Sequence, residues 1–101
     1  AIRFFNNLIE EDPSFAEAWN KRATVYFMMG EFDKSMLDIV KTLELEPRHF
    51  GALDGMGLIF IHQGQYQEAL RVYDKMLEIF PNSIKTKEKK DSILSIISKS
   101  T

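Results

Sequence analysis

The chain has 101 residues, enough for one compact domain or about three short repeated units. Hydrophobic residues make up 45% and charged residues 28%, a balance typical of folded globular proteins. The net charge is −2, but residues 1–83 carry 8 basic and 13 acidic side chains, and this acidic part argues against a nucleic-acid-binding surface. The absence of Cys excludes disulfides, thiolate metal sites and a cysteine nucleophile. It is compatible with a cytoplasmic location, which is favoured, and with a periplasmic or secreted one. The longest apolar run, residues 56–61, is too short for membrane insertion.

The three prolines of the chain, Pro13, Pro47 and Pro81, lie 34 residues apart. Proline ends helices and is excluded from their interior, so equal spacing indicates that helices stop and restart at equal intervals. A step of this length is typical of repeated helix–turn–helix units.

Residues 1–15 are predicted to be the second helix of a truncated repeat and its following turn. Phe4, Phe5, Leu8 and Ile9 would be the packing residues of this helix. The chain thus starts in the middle of a repeat, and we expect it to be an excerpt of a longer protein.

Residues 16–49 and 50–83 align without gaps as two full repeats, in which apolar residues follow the helical three–four step. Gly30 and Gly64 are predicted to end the first helix of each pair in the left-handed conformation. The second helix begins about two residues later and runs to about residue 45 or 79. Tyr26 and Phe60 are expected to be large core side chains, and Ser14 with Glu17 has the spacing of a capping box.

Residues 84–101 are predicted to form a capping helix, with Asn82 and Ser83 available as caps at its start. The helix is polar at first and apolar later, and the end of a stack requires one polar face. The predicted fold is therefore all-α, a single domain over residues 1–101 built as an antiparallel helix-pair solenoid of six helices.

The pattern of Trp19, Arg22, Ala23 and Tyr26, followed by Gly30, Ser35, Ile39 and Pro47, resembles the tetratricopeptide repeat. The next unit resembles it at least as well, through Leu53, Met56, Gly57 and Phe60, followed by Gly64, Ala69, Tyr73 and Pro81. Arg22 departs from the pattern where an apolar residue is expected, as do Thr42 and Met76 where a small one is expected. We expect these departures to loosen the packing locally.

The sequence carries no enzyme signature. The two histidines, His49 and His62, do not share a helix at metal-ligand spacing, and no carboxylate–histidine cluster supports a zinc site. The glycines at 51, 55 and 57 lie inside a predicted helix rather than in a phosphate-binding loop. We expect no catalytic residue, metal or cofactor.

The resemblance implies a concave groove lined by the first helix of each pair, in which a peptide or helix of a partner protein binds. On this sequence the groove residues are Asn20, Thr24, Phe27, Met28, Asp54, Leu58, Ile61 and His62. Packing against neighbouring helices is an equally good interpretation for Phe27 and Ile61. Some relatives grip the acidic tails of heat-shock chaperones with Lys, Asn and Arg, but the matching positions here hold Asn20, Thr24, Gly51, Asp54 and Gly55. We therefore do not expect a chaperone tail as the ligand.

Two alternatives remain open. One is self-assembly, such as a homodimer, through apolar residues of the terminal helices: Phe4, Phe5, Ile93, Leu94, Ile96 and Ile97. The other is that the segment is the targeting arm of a larger enzyme.

Overall fold

The computed structural model describes residues 1–99 and contains six helices. They are Ile2–Glu11 (α1), Ala16–Met28 (α2), Phe32–Leu45 (α3), Phe50–His62 (α4), Tyr66–Ile79 (α5) and Ile84–Lys99 (α6). No strand occurs in this part of the chain, which confirms the predicted all-α fold class. The chain divides into two compact units, the first comprising residues 1–55 (unit 1) and the second starting at residue 56 (unit 2).

Two glycines end the first helix of each pair, as predicted. Gly30 has φ +77° and Gly64 has φ +73°, values that side chains with a Cβ atom disfavour. In unit 1 the Glu31 N–H donates to the Tyr26 carbonyl at 2.9 Å, which satisfies one of the last carbonyls of α2. The chain reverses within three residues, so α3 packs back on α2 as the second arm of a helical hairpin.

The capping box predicted for α2 does not form. The Ser14 hydroxyl and N–H both donate to Asp12 Oδ1, at 2.6 and 3.1 Å, and these bonds lower the pKa of Asp12. Ser14 is therefore hydrogen-bonded within the turn around Pro13 and does not cap α2. The N-cap residue of α2 is Phe15, which makes no side-chain hydrogen bond to the helix. The predicted cap of α6 is present, because the Thr86 N–H donates to Ser83 Oγ at 3.3 Å.

Small residues let α2 and α3 approach closely in unit 1. Ala18, Ala23 and Ser35 are all buried, and the Ser35 hydroxyl donates to the Ala23 carbonyl at 2.7 Å. Thr42 is fully buried and donates its hydroxyl to the Asp38 carbonyl at 2.8 Å. Thr42 is larger than the residue that the repeat pattern expects, but its hydroxyl is satisfied by a hydrogen bond within α3. The prediction that Thr42 loosens the packing is therefore wrong.

Arg22 does not loosen its surroundings either. Its guanidinium donates to both carboxylate oxygens of Asp38 on α3, each at 2.8 Å, and to Asn6 Oδ1 on α1 at 2.7 Å. The side chain of Asp38 is 5% exposed and that of Arg22 is 19% exposed. The hydrogen bonds to Asp38 raise the pKa of Arg22 above its usual value. One charged side chain thus joins three helices of unit 1, a role that the apolar pattern does not predict.

The largest fully buried side chain is Tyr73 of α5, in unit 2. The expected core residues Tyr26 and Phe60 are only half-buried, so their predicted position at the centre of the packing is wrong. Tyr73 fits because Gly57 of α4 faces it: a Cβ atom at Gly57 would lie 2.7 Å from Tyr73 Cζ. The missing side chain of Gly57 therefore makes the space that the Tyr73 ring fills.

We expect Gly57→Ala to destabilise the chain by about 2 kcal/mol, because the new methyl group overpacks the Tyr73 contact. This loss outweighs the gain of about 1 kcal/mol that Ala brings to a helix interior. Urea unfolding followed by far-ultraviolet circular dichroism measures the change. Gly55→Ala, in the same helix, is the matched control, since its Cβ would meet only the terminal methyl group of Ile39, at 3.3 Å rather than 2.7 Å. If Gly57→Ala and Gly55→Ala lowered the free energy of unfolding equally, the close contact between Gly57 and Tyr73 would not be the cause.

Candidate functional site

One stripe of α2 carries four of the predicted groove residues, and we call it the α2 face: Asn20, Thr24, Phe27 and Met28. Residues spaced by four share one side of a helix, so Asn20, Thr24 and Met28 form one row, and Phe27 lies three residues after Thr24 at the edge of that row. Met28 is 74% exposed and Thr24 is exposed, whereas Asn20 and Phe27 are half-buried. The Phe27 ring packs on Phe32 of α3 with 5.3 Å between centroids. Phe27 therefore packs partly against the neighbouring helix, as the alternative interpretation expected, whereas Met28 projects into water.

The other end of the α2 face is polar and carries an acidic neighbour. Asn20 Nδ2 donates to Glu17 Oε1 at 3.3 Å, and Glu17 Oε2 lies 3.5 Å from His49 Nε2. His49 Nδ1 accepts the Ala52 N–H at 3.0 Å and so caps the start of α4. From the sequence, His49 was assigned no role beyond its failure to form a metal site with His62. Its position directly before the first residue of α4 was the available signal.

The predicted groove residues of α4 fall into both units. Asp54 belongs to unit 1 and is half-buried. Leu58 and Ile61 belong to unit 2 and are half-buried, and His62 in the same unit is exposed. Because each apolar residue keeps part of its surface in water, Leu58 and Ile61 form a small apolar patch of unit 2.

The residues predicted for self-association differ in their exposure. Phe4 is 61% exposed, Leu94 44% and Ile96 37%, whereas Phe5 and Ile97 are half-buried. Ile93 is only 1% exposed. Its place among the self-association residues is therefore wrong: Ile93 belongs to the core of unit 2, where α6 packs on α5.

Residues 1–99 contain no group of three or more His, Cys, Asp or Glu side chains able to hold a metal ion. In the same range no helix combines the length and apolar character needed to cross a membrane. The α2 face has one apolar end, at Phe27 and Met28, and one polar end, at Asn20.

Comparison with known families agrees with this architecture. Two models of the tetratricopeptide repeat match the chain, one over residues 4–36 and the other over residues 50–83. The chain belongs to the tetratricopeptide repeat family. The resemblance drawn from the prolines, glycines and aromatic residues is therefore confirmed.

A tetratricopeptide repeat-containing protein of Rhizobium etli is 46% identical over 81 residues, which are 80% of this chain and 40% of that protein. The chain thus spans less than half of this curated relative. Among solved structures, the first tetratricopeptide domain of Spaghetti (RPAP3) bound to the HSP90 peptide SRMEEVD has a TM-score of 0.89 at 21% identity, covering 97% of this chain and 80% of that one. YrrB, described as having an unusual peptide-binding site, has a TM-score of 0.88 at 21% identity, covering 97% of this chain and 50% of that one. These structures share the fold of this tetratricopeptide protein.

Proposed function

We propose that this chain is a non-catalytic protein-interaction module that binds a peptide or helix of a partner protein on its α2 face. The observation that carries this proposal is the 74% exposure of Met28 beside the half-buried Phe27. An apolar side chain left in water gains free energy when a ligand covers it, and Met adapts its shape to different partners. The peptide-bound RPAP3 domain supports the proposal, because it shows the same fold holding a peptide.

The chemistry around the α2 face favours an apolar or helical ligand over an acidic tail. Glu17 lies against Asn20 at the polar end, so an incoming carboxylate would meet a negative charge. Asn20 and Thr24 supply no cation, whereas gripping a carboxylate commonly uses Lys or Arg. The ligand we propose therefore places apolar side chains on Met28 and Phe27 and is not a peptide of the SRMEEVD type.

The proposal includes the absence of catalysis. His49 faces Glu17 beside the α2 face with one ring nitrogen, and its other ring nitrogen accepts the Ala52 N–H. A general base needs a ring nitrogen free to accept a proton from a bound substrate. His49 therefore acts as a cap for α4 rather than as a base.

We expect Met28→Lys to weaken ligand binding at least tenfold, because it puts a charged ammonium where an apolar contact is proposed. The ligand is first selected from a displayed peptide library and then titrated by isothermal calorimetry. Leu37→Lys is the matched control, since Leu37 lies on α3 and is 71% exposed, close to the exposure of Met28. Neither substitution removes a buried side chain, so the helical circular dichroism should stay unchanged.

Equal weakening by both substitutions would show that added charge, rather than the α2 face, governs binding. Unchanged affinity of Met28→Lys would place the ligand elsewhere. The Leu58 and Ile61 patch of unit 2 is then examined with the same titration and the same selected peptide.

A further inference from the structure

The methionines of the chain differ widely in exposure. Met28 is 74% exposed and Met29 is 60% exposed, whereas Met76 is 1% exposed. The other two, Met36 and Met56, are half-buried. Peroxides convert a methionine thioether to the sulfoxide, and they do so most readily where the sulfur is accessible from solution. Met28 and Met29 are therefore the methionines that an oxidant in solution reaches first.

The exposure of Met28 and Met29 does not follow from where the sequence begins. The 34-residue period pairs them with His62 and Gln63, the corresponding positions of the next repeat. His62 and Gln63 are both exposed, although the complete helix pair α2 and α3 precedes them in the chain. A preceding helix pair thus leaves these positions of the repeat in water, and we expect the same for Met28 and Met29 in a longer chain.

We propose that Met28 is an oxidation site at which a hydroperoxide, such as hydrogen peroxide, reversibly releases the ligand of the α2 face. This inference rests on the proposed function, which places an apolar ligand side chain on Met28. In the reaction the Met28 sulfur attacks one oxygen of hydrogen peroxide, the O–O bond breaks and an S–O bond forms. The sulfur loses two electrons, and the other peroxide oxygen leaves as water after taking up the proton of the transferred oxygen.

The sulfoxide changes the chemistry of the apolar end of the α2 face. Its oxygen accepts hydrogen bonds from water as long as Met28 is uncovered. An apolar ligand side chain on Met28 would take that water away without supplying a donor, which costs free energy. The α2 face does not replace the water readily, because Phe27 carries no donor and the Thr24 hydroxyl already donates to the Asn20 carbonyl at 3.1 Å.

Met29 is the matched control for Met28 within the same chain. It is nearly as exposed as Met28, so peroxide should reach both sulfur atoms. Successive residues of a helix are rotated by about 100°, so Met29 points away from the row formed by Asn20, Thr24 and Met28. Oxidation of Met29 adds the same oxygen atom outside the α2 face, and we expect it to leave ligand affinity unchanged.

The test titrates the peptide selected from the displayed library into the original chain, Met28→Leu and Met29→Leu. Each is measured before and after treatment with hydrogen peroxide, which catalase then removes. Leu keeps an apolar side chain of similar volume but has no sulfur to oxidise. We expect oxidation to weaken binding about tenfold in the original chain and in Met29→Leu, and not in Met28→Leu. Methionine sulfoxide reductase should then restore the affinity.

Mass spectrometry with fragmentation measures the sulfoxide at each methionine, and Met28 and Met29 should be converted before Met76. Oxidation of Met76 before Met28, or a loss of helical circular dichroism on oxidation, would overturn the proposal by assigning ligand release to unfolding. An equal loss of affinity in Met28→Leu would overturn it too. Undiminished binding with Met28 fully oxidised would contradict this inference alone. If the untreated chain bound no selected peptide, the proposed function would be wrong and this inference with it.

Discussion

Replacing Tyr73 with Ala is expected to lower the free energy of unfolding by roughly 4 kcal/mol, as large-to-small changes at fully buried aromatic residues do. Tyr73 is 0% exposed, and Gly57 on α4 offers no side chain that could move into the space left behind. The cavity would therefore persist. Urea unfolding of the purified chain, followed by circular dichroism, measures the loss. A chain of this size has little stability to spare, so partial unfolding at room temperature agrees with the same expectation.

Tyr26→Ala is the matched comparison, because it removes the same side chain from a half-buried position in unit 1. We expect a loss of about 2 kcal/mol, in proportion to the smaller apolar area removed from water. If Tyr26→Ala lowered the free energy of unfolding as much as Tyr73→Ala, the result would support the sequence-based prediction that Tyr26 is a core side chain.

Arg22→Met should cost about 3 kcal/mol, since it leaves the carboxylate of Asp38 buried without its partner. The loss also includes the hydrogen bond to Asn6, and with it a link between α1 and α2. The measurement is again the free energy of unfolding in urea. Fluorescence of Trp19 offers a local readout, because the guanidinium carbon lies 5.2 Å from the centre of its ring.

The double variant Arg22→Met/Asp38→Val tests whether charge is the cause. Met56 and Val72 occupy the same two positions in the next repeat, so the variant copies a pair that the chain already uses. Replacing a buried ion pair by apolar side chains is often neutral, and we expect most of the stability lost in Arg22→Met to return. A double variant even less stable than Arg22→Met would contradict this account and indicate that side-chain shape matters more than charge.

The repeat period could be predicted from the sequence because proline and glycine mark helix ends through their own backbone preferences. Proline excludes the helix interior, and glycine accepts the left-handed conformation seen at Gly30 and Gly64, so both residues mark helix ends without reference to the rest of the fold. Ala18 and Ala52 lie 34 residues apart and are both buried, so the same period also recurs in the small residues of the core. The capping of α2 failed because Ser14 had two competing partners, and the turn at Asp12 engaged it.

The candidate site was only partly predictable. Phe27 and Met28 are neighbours in the sequence and both apolar, yet one packs on Phe32 and the other is 74% exposed. Helical periodicity gives the direction of each side chain, but not what stands in that direction. The α2 face therefore follows from the spacing, whereas the contribution of each residue follows from its neighbours.

By itself, the sequence determined the helical class, the number of helices, their ends and the family of this protein, because each depends on short-range backbone preferences repeated at a constant step. The tertiary structure alone decided that Arg22 binds Asp38 and Asn6, that Tyr73 rather than Tyr26 is the fully buried ring, and that Ile93 is core while Phe4 is exposed. Burial and ion pairing depend on which helices come together. Those contacts join residues that are distant along the chain, so no local pattern specifies them.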